Sequence, residues 1–326
     1  MLDPAPEYIV KKLTRDEYKS WNKFVLDQRD GTIFHTTYWL EPLCSDELRI
    51  VAIFRKGKIC AGFPMIIRKV AGARMLLQPP MTPYSGPVLS DAINASILPD
   101  FVEHALNTII SEMDSFRFSL PPQSSLAKPV FRKHLYEHDF RTNRLMATLP
   151  PFDLMEHISG SLRRNIRKAE KNGLRIEKTN DIKTVYDLSA ASYKNSGRRH
   201  PLKYSTFSKL HQHLSDHGLS EARIVFTKEG KPAAAAWTPF DARAAYNVIH
   251  GIEREFSSLQ GGPYVLFKTA ESFLSRGVSF DFEGSMKDRI HHFYQKFNPE
   301  TCSYSHFHKN RSFILKLLNQ LRLIHV

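Results

Sequence analysis

Residues 261–299 read GGPYVLFKTAESFLSRGVSFDFEGSMKDRIHHFYQKFNP. Two glycines followed by a proline favour the start of a helix, and we predict a helix from Pro263 to Arg276. The chain continues as VSFDFEG, in which apolar and acidic residues alternate. Alternation with period two is typical of a strand with one buried face, so Asp281 and Glu283 are predicted to point to the same side.

The elements around this stretch follow an order that occurs twice in the chain. In the second half we predict, in order, a basic helix at 152–172, a strand LRIEKT at 174–179, a helix capped by Asn180, a helix from Thr206 to His217, strands at 222–227, 232–238 and 243–250, the helix and strand above, a helix at 287–296 and a strand at 302–308. The first half shows the same order: a strand at 8–13, a helix opened by the capping box of Thr14 and Glu17, a short helix near TTYWLEPL, a hairpin at 49–64, a strand near RMLLQ, a helix from Pro99 to about Met113, a strand FRFSL, a helix from about Leu126, and a strand ending near Leu149.

Two similar hairpin segments support this repeat. RIVAIFRKGKICAGFP at 49–64 and RIVFTKEGKPAAAAWTP at 223–239 each open with RIV, pass a Gly-Lys turn and end at a proline. Pro150 and Pro151 mark a boundary between the copies. We therefore predict two α/β (α+β) domains, 1–150 and 151–326, each a mixed central sheet flanked by helices.

The composition narrows the class of protein and its partners. Lys plus Arg exceed Asp plus Glu by 13 and the pI is about 9.6, which favours an anionic partner such as nucleic acid, a phosphate-bearing cofactor or an anionic membrane surface. A generally basic solvated surface is the alternative. The sequence has no apolar stretch long enough for a spanning helix and no signal sequence, so we expect a cytoplasmic protein.

The cysteines and histidines predict neither a disulfide framework nor a metal site. Cys44, Cys60 and Cys302 are far apart and form no CxxC pair, so we expect reduced thiols. Several histidines form close pairs, but there is no HExxH motif and no matching carboxylate spacing. We therefore expect no metal.

Three stretches carry a resemblance to a known family: GTIFHTTYWL at 31–40, SLRRNIRKAEKNGLRIE at 161–177, and residues 261–299. Together with the element order they resemble the GCN5-related N-acetyltransferase (GNAT) fold in tandem, as in the Fem-type (FemABX-like) aminoacyl and acyl transferases and their acetyltransferase branch. The resemblance implies that the strands at 243–250 and 278–282 separate and that the acyl donor lies between them.

This resemblance puts Glu283 and Asp281 on the wall of a reaction site. A carboxylate there could take the proton of an attacking amine, and Glu283, nearer the strand end, is the first candidate for base. The alternative is that both acids are structural, bonding backbone groups or pairing with Lys287 or Arg289. His250 is a possible second base or a half-buried structural histidine.

The leaving group and the developing negative charge need partners as well. The resemblance places an acid on the next helix, where Tyr294 lies, although Phe293, Tyr294 and Phe297 could equally form that helix's core face. A free backbone N–H between Val248 and Gly251 could stabilise the oxyanion.

The donor's phosphates are expected at the start of the 263–276 helix. Glycines allow close approach of the backbone, and the helix dipole favours an anion there. The predicted donor contacts are Gln260, Gly261, Gly262, Tyr264 and Gly251. SSLQGGPY departs from the usual pattern of acetyl-CoA users, which is Gln or Arg, two residues, Gly, one residue, then Gly or Ala. The first half fits less well at TPYSGPVLSDAINAS, so we interpret it as a degenerate copy on the acceptor side.

Basic residues supply further candidate contacts. Arg163, Arg164, Arg167, Lys168 and Lys171 cover one broad side of a helix and could bind a polyphosphate or a tRNA backbone, or form an ordinary solvated face. The loop GRRHPLK would bring Arg198, Arg199 and His200 to the substrate side. Lys287 is a further candidate phosphate contact.

These features predict an N-acyltransferase that moves an acyl group from acyl-CoA to an amine on a small or cell-envelope-related acceptor by direct attack. No cysteine or serine lies in a recognisable nucleophile setting, so no covalent intermediate is expected. Two alternatives stay open: aminoacyl transfer from charged tRNA to a peptidoglycan precursor, and a non-catalytic nucleic-acid-binding protein on this fold. The C-terminal RSFILKLLNQLRLIHV is predicted to be a basic amphipathic helix that packs on the core or contacts a membrane surface weakly.

Overall fold

A computed structural model describes residues 8–44, 46–91, 112–122, 124, 131–132, 135–283 and 286–312. The chain divides into two compact units, Met1–Phe140 with Ser303–Val326, and Arg141–Cys302. The predicted division, by contrast, ran from 1 to 150 and from 151 to 326. Residues from 303 onward belong to the first unit because the C-terminal strand pairs antiparallel with Ser115–Ser119.

The elements of the described chain are numbered here in sequence order. The strands are β1 (Tyr8–Lys12), β2 (Leu48–Arg55), β3 (Lys58–Val70), β4 (Ala73–Leu77), β5 (Val88–Leu89), β6 (Ser115–Ser119), β7 (Tyr136–Leu145), β8 (Arg175–Lys178), β9 (Ser220–Phe226), β10 (Pro232–Pro239), β11 (Ala244–Tyr246), β12 (Ile249–Ile252), β13 (Ser279–Asp281) and β14 (Glu300–Asn310). The α-helices are α1 (Tyr18–Asp27), α2 (Thr37–Cys44), α3 (Leu154–His157), α4 (Gly160–Lys171), α5 (Ile182–Asn195), α6 (Tyr204–Ser215), α7 (Gly261–Leu274) and α8 (Asp288–Gln295).

In the first unit the sheet order is β1-β2-β3-β4-β6-β14, with β5 also paired to β3. The predicted hairpin at 49–64 is confirmed as β2 and β3, and the capping box of Thr14 and Glu17 is present. The capping box opens a 3-10 turn that leads into α1. Phe116, Phe118 and Phe307 belong to the core of this unit.

The second unit contains two sheets, one ordered β7-β13-β11 and the other β12-β10-β9-β8. Helix α5 packs on β12 and β10, and α7 packs on β10 and β9. A core cluster of aromatic and aliphatic side chains surrounds α7, with Val265, Phe267, Phe273 and Phe280 fully buried. Both helices thus bury their apolar sides against the same four-stranded sheet.

Several predicted boundaries in the second unit need correction. The strand predicted at 243–250 is two strands, β11 and β12, which belong to different sheets. The basic helix predicted at 152–172 is α3 and α4, interrupted at Ile158 and Ser159. Asp181, not Asn180, caps α5, because its side chain accepts a hydrogen bond from the Thr184 backbone N–H.

Some predictions fall outside the described residues: most of the helix from Pro99, most of the helix from Leu126, and the C-terminal amphipathic helix. In the part of the chain that the structure describes, no helix has the length and apolarity needed to cross a membrane. The three cysteines are unpaired, as predicted.

Candidate functional site

A parallel strand pair that ends abruptly positions the candidate site. β11 and β13 pair in parallel over three residues, the last pair being Tyr246 with Asp281. The Asn247 N–H still donates to the Asp281 carbonyl at 2.9 Å, and the chain then enters β12, which pairs with β10 of the other sheet. The two strands therefore separate after Asn247, at the position the resemblance implied, because β12 and β13 satisfy their backbones in different sheets.

Asp281 is fully buried, and its carboxylate is engaged on both oxygens. Arg144 Nε donates to Oδ2 at 2.6 Å, while the Thr142 hydroxyl and the Glu283 backbone N–H, the latter at 2.9 Å, donate to Oδ1. The structural alternative for Asp281 therefore has direct support. Its cation is Arg144 rather than Lys287 or Arg289, both of which are exposed.

Glu283 differs from Asp281 although only one residue separates them. Its backbone is in the left-handed region, with φ of 57°, which is unusual for a residue with a long side chain. Its carboxylate atom Oε1 is buried. Burial, and secondarily the charge of Asp281, raises the pKa of Glu283 well above its ordinary value, while Arg144 opposes the rise. A carboxyl group with a raised pKa is a stronger base once ionised, which is a property of catalytic acids and bases.

A second polar pair lies beside the two acids. Asn247 is 6% exposed, and its Nδ2 donates to the Tyr294 hydroxyl at 3.4 Å. Burial, together with the charges of Glu283 and Asp281, raises the pKa of Tyr294, and the bond from Asn247 acts in the opposite direction. The Tyr294 ring stacks on Phe282 at 4.8 Å. Both interpretations of Tyr294 thus have support, since its ring is core and its hydroxyl faces polar groups.

Sequence reasoning missed Asn247 and Arg144. Asn has a low strand propensity, and Asn247 interrupts the β-rich run AAYNVIHG at the point where the strands separate. That interruption was the available signal. Arg144 lies in RTNRL, a polar run inside a predicted strand. Nothing in the local pattern pairs that run with residues about 140 positions later.

The loop before α6 contributes aromatic and cationic groups. The Arg198 guanidinium lies 5.4 Å from the centre of the Tyr193 ring, and His200 packs against Tyr193 at 5.0 Å. Tyr193 is close enough to Tyr294 to raise its pKa slightly. These contacts place Arg198 and His200 beside Tyr193, and their position toward the substrate side stays a prediction. Arg199 is exposed.

His250 lies on β12 next to the start of α7. Burial lowers the pKa of His250 to about 4, and a hydrogen bond with the Gly262 backbone opposes that shift. Its Nε2 is buried and has no hydrogen-bond partner in the described part of the protein. His250 is therefore neutral near pH 7, as required of a second base, although its burial also fits the structural alternative.

The start of α7 differs from the prediction by two residues. The helix begins at Gly261, so Pro263 is its third residue, and Gln260 precedes it with a left-handed φ of 68°. One of the two glycines here, Gly262, has a packing reason, whereas a Cβ on Gly261 would make only an ordinary van der Waals contact. A Cβ on Gly261 would lie 3.4 Å from Ala234, and one on Gly262 would lie 2.5 Å from Ile252 Cδ1. The helix start still leaves backbone N–H groups available for an anion.

Two predicted donor contacts are explained by packing alone. A Cβ on Gly251 would lie 2.4 Å from the Ser189 backbone nitrogen, so this glycine lets α5 approach β12. Tyr264 is 6% exposed and belongs to the core cluster around α7. Packing therefore explains why position 251 is glycine and position 264 is tyrosine, with no need for a ligand contact.

The cations of α4 fall into two groups. Arg163 donates to the Glu156 carbonyl at 2.9 Å and pairs with its carboxylate, which joins α4 to α3. The other four are exposed and form no ion pair with any described residue: Arg164, Arg167, Lys168 and Lys171. Arg163 is thus structural, and the remaining four form a cationic surface that we call the α4 patch.

Two further expectations concern the backbone and metals. Val248 N–H donates to the Tyr246 carbonyl, and residues 249–251 lie in β12, which pairs antiparallel with β10, so a free N–H for the oxyanion stays a prediction. Among the described residues, no group of three or more His, Cys, Asp or Glu side chains could hold a metal ion.

Comparison with known proteins agrees with this architecture. Residues 158–289 match the family model described as an acetyltransferase (GNAT) domain. A search of curated protein sequences gave no significant match. The crystal structure of FemX is similar over 95% of this chain and 99% of its own, with a TM-score of 0.70 at 13% identity.

Two further solved structures have the same arrangement. A tandem GNAT protein from the clavulanic acid biosynthesis pathway matches over 94% of this chain and 99% of its own, with a TM-score of 0.58 at 10% identity. L-PGS from Bacillus licheniformis matches over 96% and 98%, with a TM-score of 0.53 at 10% identity. Residues 158–289 therefore resemble a GNAT acetyltransferase domain, and the chain as a whole has a tandem GNAT fold that it shares with FemX.

Proposed function

We propose that the second unit is an N-acyltransferase that moves an acyl group from an acyl-CoA to an amine by direct attack, with Glu283 as the base. The observation that carries this proposal is Glu283 itself. It combines a left-handed backbone, a buried carboxylate oxygen and a raised pKa at the point where β11 and β13 separate. Backbone strain and a perturbed pKa together are features of reaction sites.

In this mechanism the acceptor enters as an ammonium group, and Glu283 takes one of its protons. The amine nitrogen forms a bond to the acyl carbonyl carbon, and the carbon–sulfur bond breaks. Tyr294 donates its proton to the leaving thiolate and takes up the second proton that the amine nitrogen loses as it becomes an amide, and the proton on Glu283 returns to solvent. Asn247 holds the Tyr294 oxygen at 3.4 Å by donating to it, so the phenolic hydrogen can point elsewhere. The backbone at the start of α7 binds the donor phosphates.

A second candidate function is aminoacyl transfer from a charged tRNA to a cell-envelope precursor. The α4 patch favours it, since four exposed cations with no acidic partner in the described chain suit a nucleic-acid backbone. The departure of SSLQGGPY from the usual acetyl-CoA pattern points the same way. A non-catalytic nucleic-acid-binding role rests on the same patch. It predicts binding that survives loss of Glu283.

Thermal shift of the purified protein distinguishes the donors. Acetyl-CoA, longer acyl-CoAs and uncharged tRNA are titrated separately, because a ligand that binds only the folded state at about 100 times its Kd adds about 2.7 kcal/mol of stability. A saturable rise with an acyl-CoA supports the leading proposal. A rise with tRNA alone favours one of the alternatives, and no rise with any of them contradicts all three.

Variants then separate binding from chemistry. Glu283→Gln should keep the donor-induced shift and lose turnover in a thiol-release assay with a panel of amines. Arg164→Gln with Arg167→Gln should abolish a tRNA-induced shift, whereas the matched pair Lys203→Gln with Lys209→Gln, two exposed cations on or beside α6, should not. An acyl-CoA shift that persists in Glu283→Gln together with full turnover would exclude Glu283 as the base.

A further inference from the structure

A second cluster of titratable side chains lies on one side of the sheet in the first unit. The cross-strand register places Arg117 opposite His308 and Ser119 opposite His306. The rings of His308 and His138 stack at 4.8 Å with an angle of 11°, and His306 stacks on Phe140 at 4.7 Å and 5°. Two rows of side chains therefore cross the strands side by side, and we call them the histidine face.

The histidine face carries one permanent cation, Arg117, and no acidic side chain among the residues that the structure describes. Arg117 is half-buried, and burial lowers its pKa. It forms no ion pair with any residue that the structure describes. Burial, together with the neighbouring charges of Arg117, His308 and His138, lowers the pKa of His306 to about 4. Burial, together with the charges of His138 and Arg117, lowers the pKa of His308.

The other polar and aromatic side chains near this face supply no negative charge to Arg117. Tyr136 contacts His308 at one end, and Tyr304 contacts Phe140 at the other. Gln78, on the neighbouring loop, bonds Ser119. Glu137 lies on the opposite side of β7, since Ser305, which alternates with the histidines of β14, donates to it at 2.6 Å.

One buried atom on the face has an unmet hydrogen-bonding need. His308 Nδ1 is buried and finds no partner in the described chain, whereas His306 Nδ1 bonds the Ser119 hydroxyl at 2.9 Å. Leaving a buried polar group unsatisfied costs about 1–3 kcal/mol. Together with a desolvated guanidinium that lacks an acid, this is the environment in which a bound anion gains most.

We propose that the histidine face of Arg117, His138, His306 and His308 binds a phosphate or diphosphate group. Strands lie about 4.8 Å apart, so the row of Arg117, His308 and His138 extends roughly 10 Å. A diphosphate can contact more than one member of such a row, whereas a single carboxylate reaches only one. Guanidinium groups bind phosphate oxygens through two parallel hydrogen bonds, and protonated histidines add charge-assisted ones.

Binding at this face takes up protons. The bound anion stabilises the charged form of each histidine and so raises its pKa, which means that affinity rises as the pH falls. The ligand is either a soluble phosphorylated molecule or a phospholipid headgroup, which share this chemistry. The site is independent of the acyl-transfer site in the second unit, so neither proposal depends on the other.

Calorimetric titration of the full chain with inorganic pyrophosphate tests the site. Ionic strength is held constant with NaCl at about pH 5 and about pH 8, because the pKa of His306 is about 4 in the free protein and a bound anion raises it. We expect saturable binding at least tenfold tighter at the lower pH, with an enthalpy that depends on the buffer because protons are taken up. Phosphatidic acid vesicles replace pyrophosphate in a second arm, which identifies the headgroup as the source if only they bind.

Variants make the result specific to the face. Arg117→Gln should weaken binding at least tenfold. His138→Gln, at an exposed position with little risk to folding, should weaken it about threefold. The control Arg132→Gln removes an exposed arginine that pairs with Glu137 on the opposite side and should bind normally. Affinity that does not change with pH, or that is unaltered in both Arg117→Gln and His138→Gln, would overturn the proposal.

Discussion

The end of β13 and the start of α7 were both predicted to hold ligand-binding residues, yet the structure explains them in different ways. At the strand end, Asp281 is a buried carboxylate paired with Arg144 and Glu283 is a carboxyl group with a raised pKa, and apolar packing explains neither. At the helix start, Gly262 fits tightly against the Ile252 side chain, which accounts for glycine there without any ligand.

This difference separates two kinds of evidence. A buried charge is costly, so each one implies a partner or a chemical role. A glycine in a close helix–sheet contact is inexpensive and common, so it implies only proximity. The acids are therefore the stronger argument for a reaction site.

Glu283→Gln should lower kcat about 10²- to 10⁴-fold, the usual contribution of a general base, with little change in donor binding. Thiol release with a responsive amine measures it. In the parent protein, activity should fall as the pH drops through the raised pKa of Glu283, because only the carboxylate accepts a proton. An unchanged kcat in Glu283→Gln would show that the end of β13 is no stronger a candidate for the reaction site than the start of α7.

The same substitution should increase stability at alkaline pH. A carboxyl whose pKa is raised in the folded state holds a proton that the unfolded chain has lost, so stability decreases as the pH rises from the unfolded value through the folded one. The Glu283→Gln variant has no ionisable group at this position, so its stability does not fall with rising pH for this reason. Urea unfolding at acidic and alkaline pH should show the gain only at the alkaline end, and a loss of stability there would contradict the inferred burial.

Asp281→Asn should destabilise the protein by about 3 kcal/mol, because it leaves the largely buried Arg144 without its counter-charge. Asp288→Asn is the matched control, since Asp288 pairs with Arg141 at 2.7 Å but is 81% exposed, and its loss should cost less than about 1 kcal/mol. Equal effects in urea unfolding would show that the Asp281 pair is no more than a surface ion pair.

Gly251→Ala and Gly262→Ala should destabilise to different extents. The new methyl group of Gly251→Ala meets the backbone of Ser189, which cannot move locally, and should cost about 3 kcal/mol. That of Gly262→Ala meets only the end of the Ile252 side chain and should cost about 1 kcal/mol. Adding Ile252→Val should recover most of the second loss. Failure to recover it would indicate that Gly262 is required for a reason other than packing.

Tyr294→Phe and Asn247→Ala should each lower kcat about tenfold, because a thiolate leaves readily and needs little help from an acid. Together they should cost no more than one alone, since the two groups act as a bonded pair. Tyr204→Phe, a partly exposed tyrosine on α6, is the control. Additive losses in kcat would show that Asn247 does not act through Tyr294.

The local patterns predicted most elements because the alternation and capping signals depend only on neighbouring residues. The FDFEG alternation identified a strand end, and the Thr14–Glu17 capping box identified a helix start. The patterns failed where one segment serves two sheets. The run AAYNVIHG has the propensity of one strand, but its halves pair with β13 and β10, and no local signal describes a choice between distant partners.

The sequence by itself determined the order of strands and helices, the resemblance to tandem GNAT proteins and the presence of two acids at the end of a strand. The surroundings of each acid came only from the tertiary structure. Arg144, far away in sequence, pairs with Asp281 and Thr142 donates a hydrogen bond to it, while burial raises the pKa of Glu283. The reason is that a pKa depends on burial and on charges a few ångströms away, and those neighbours are brought together only by folding.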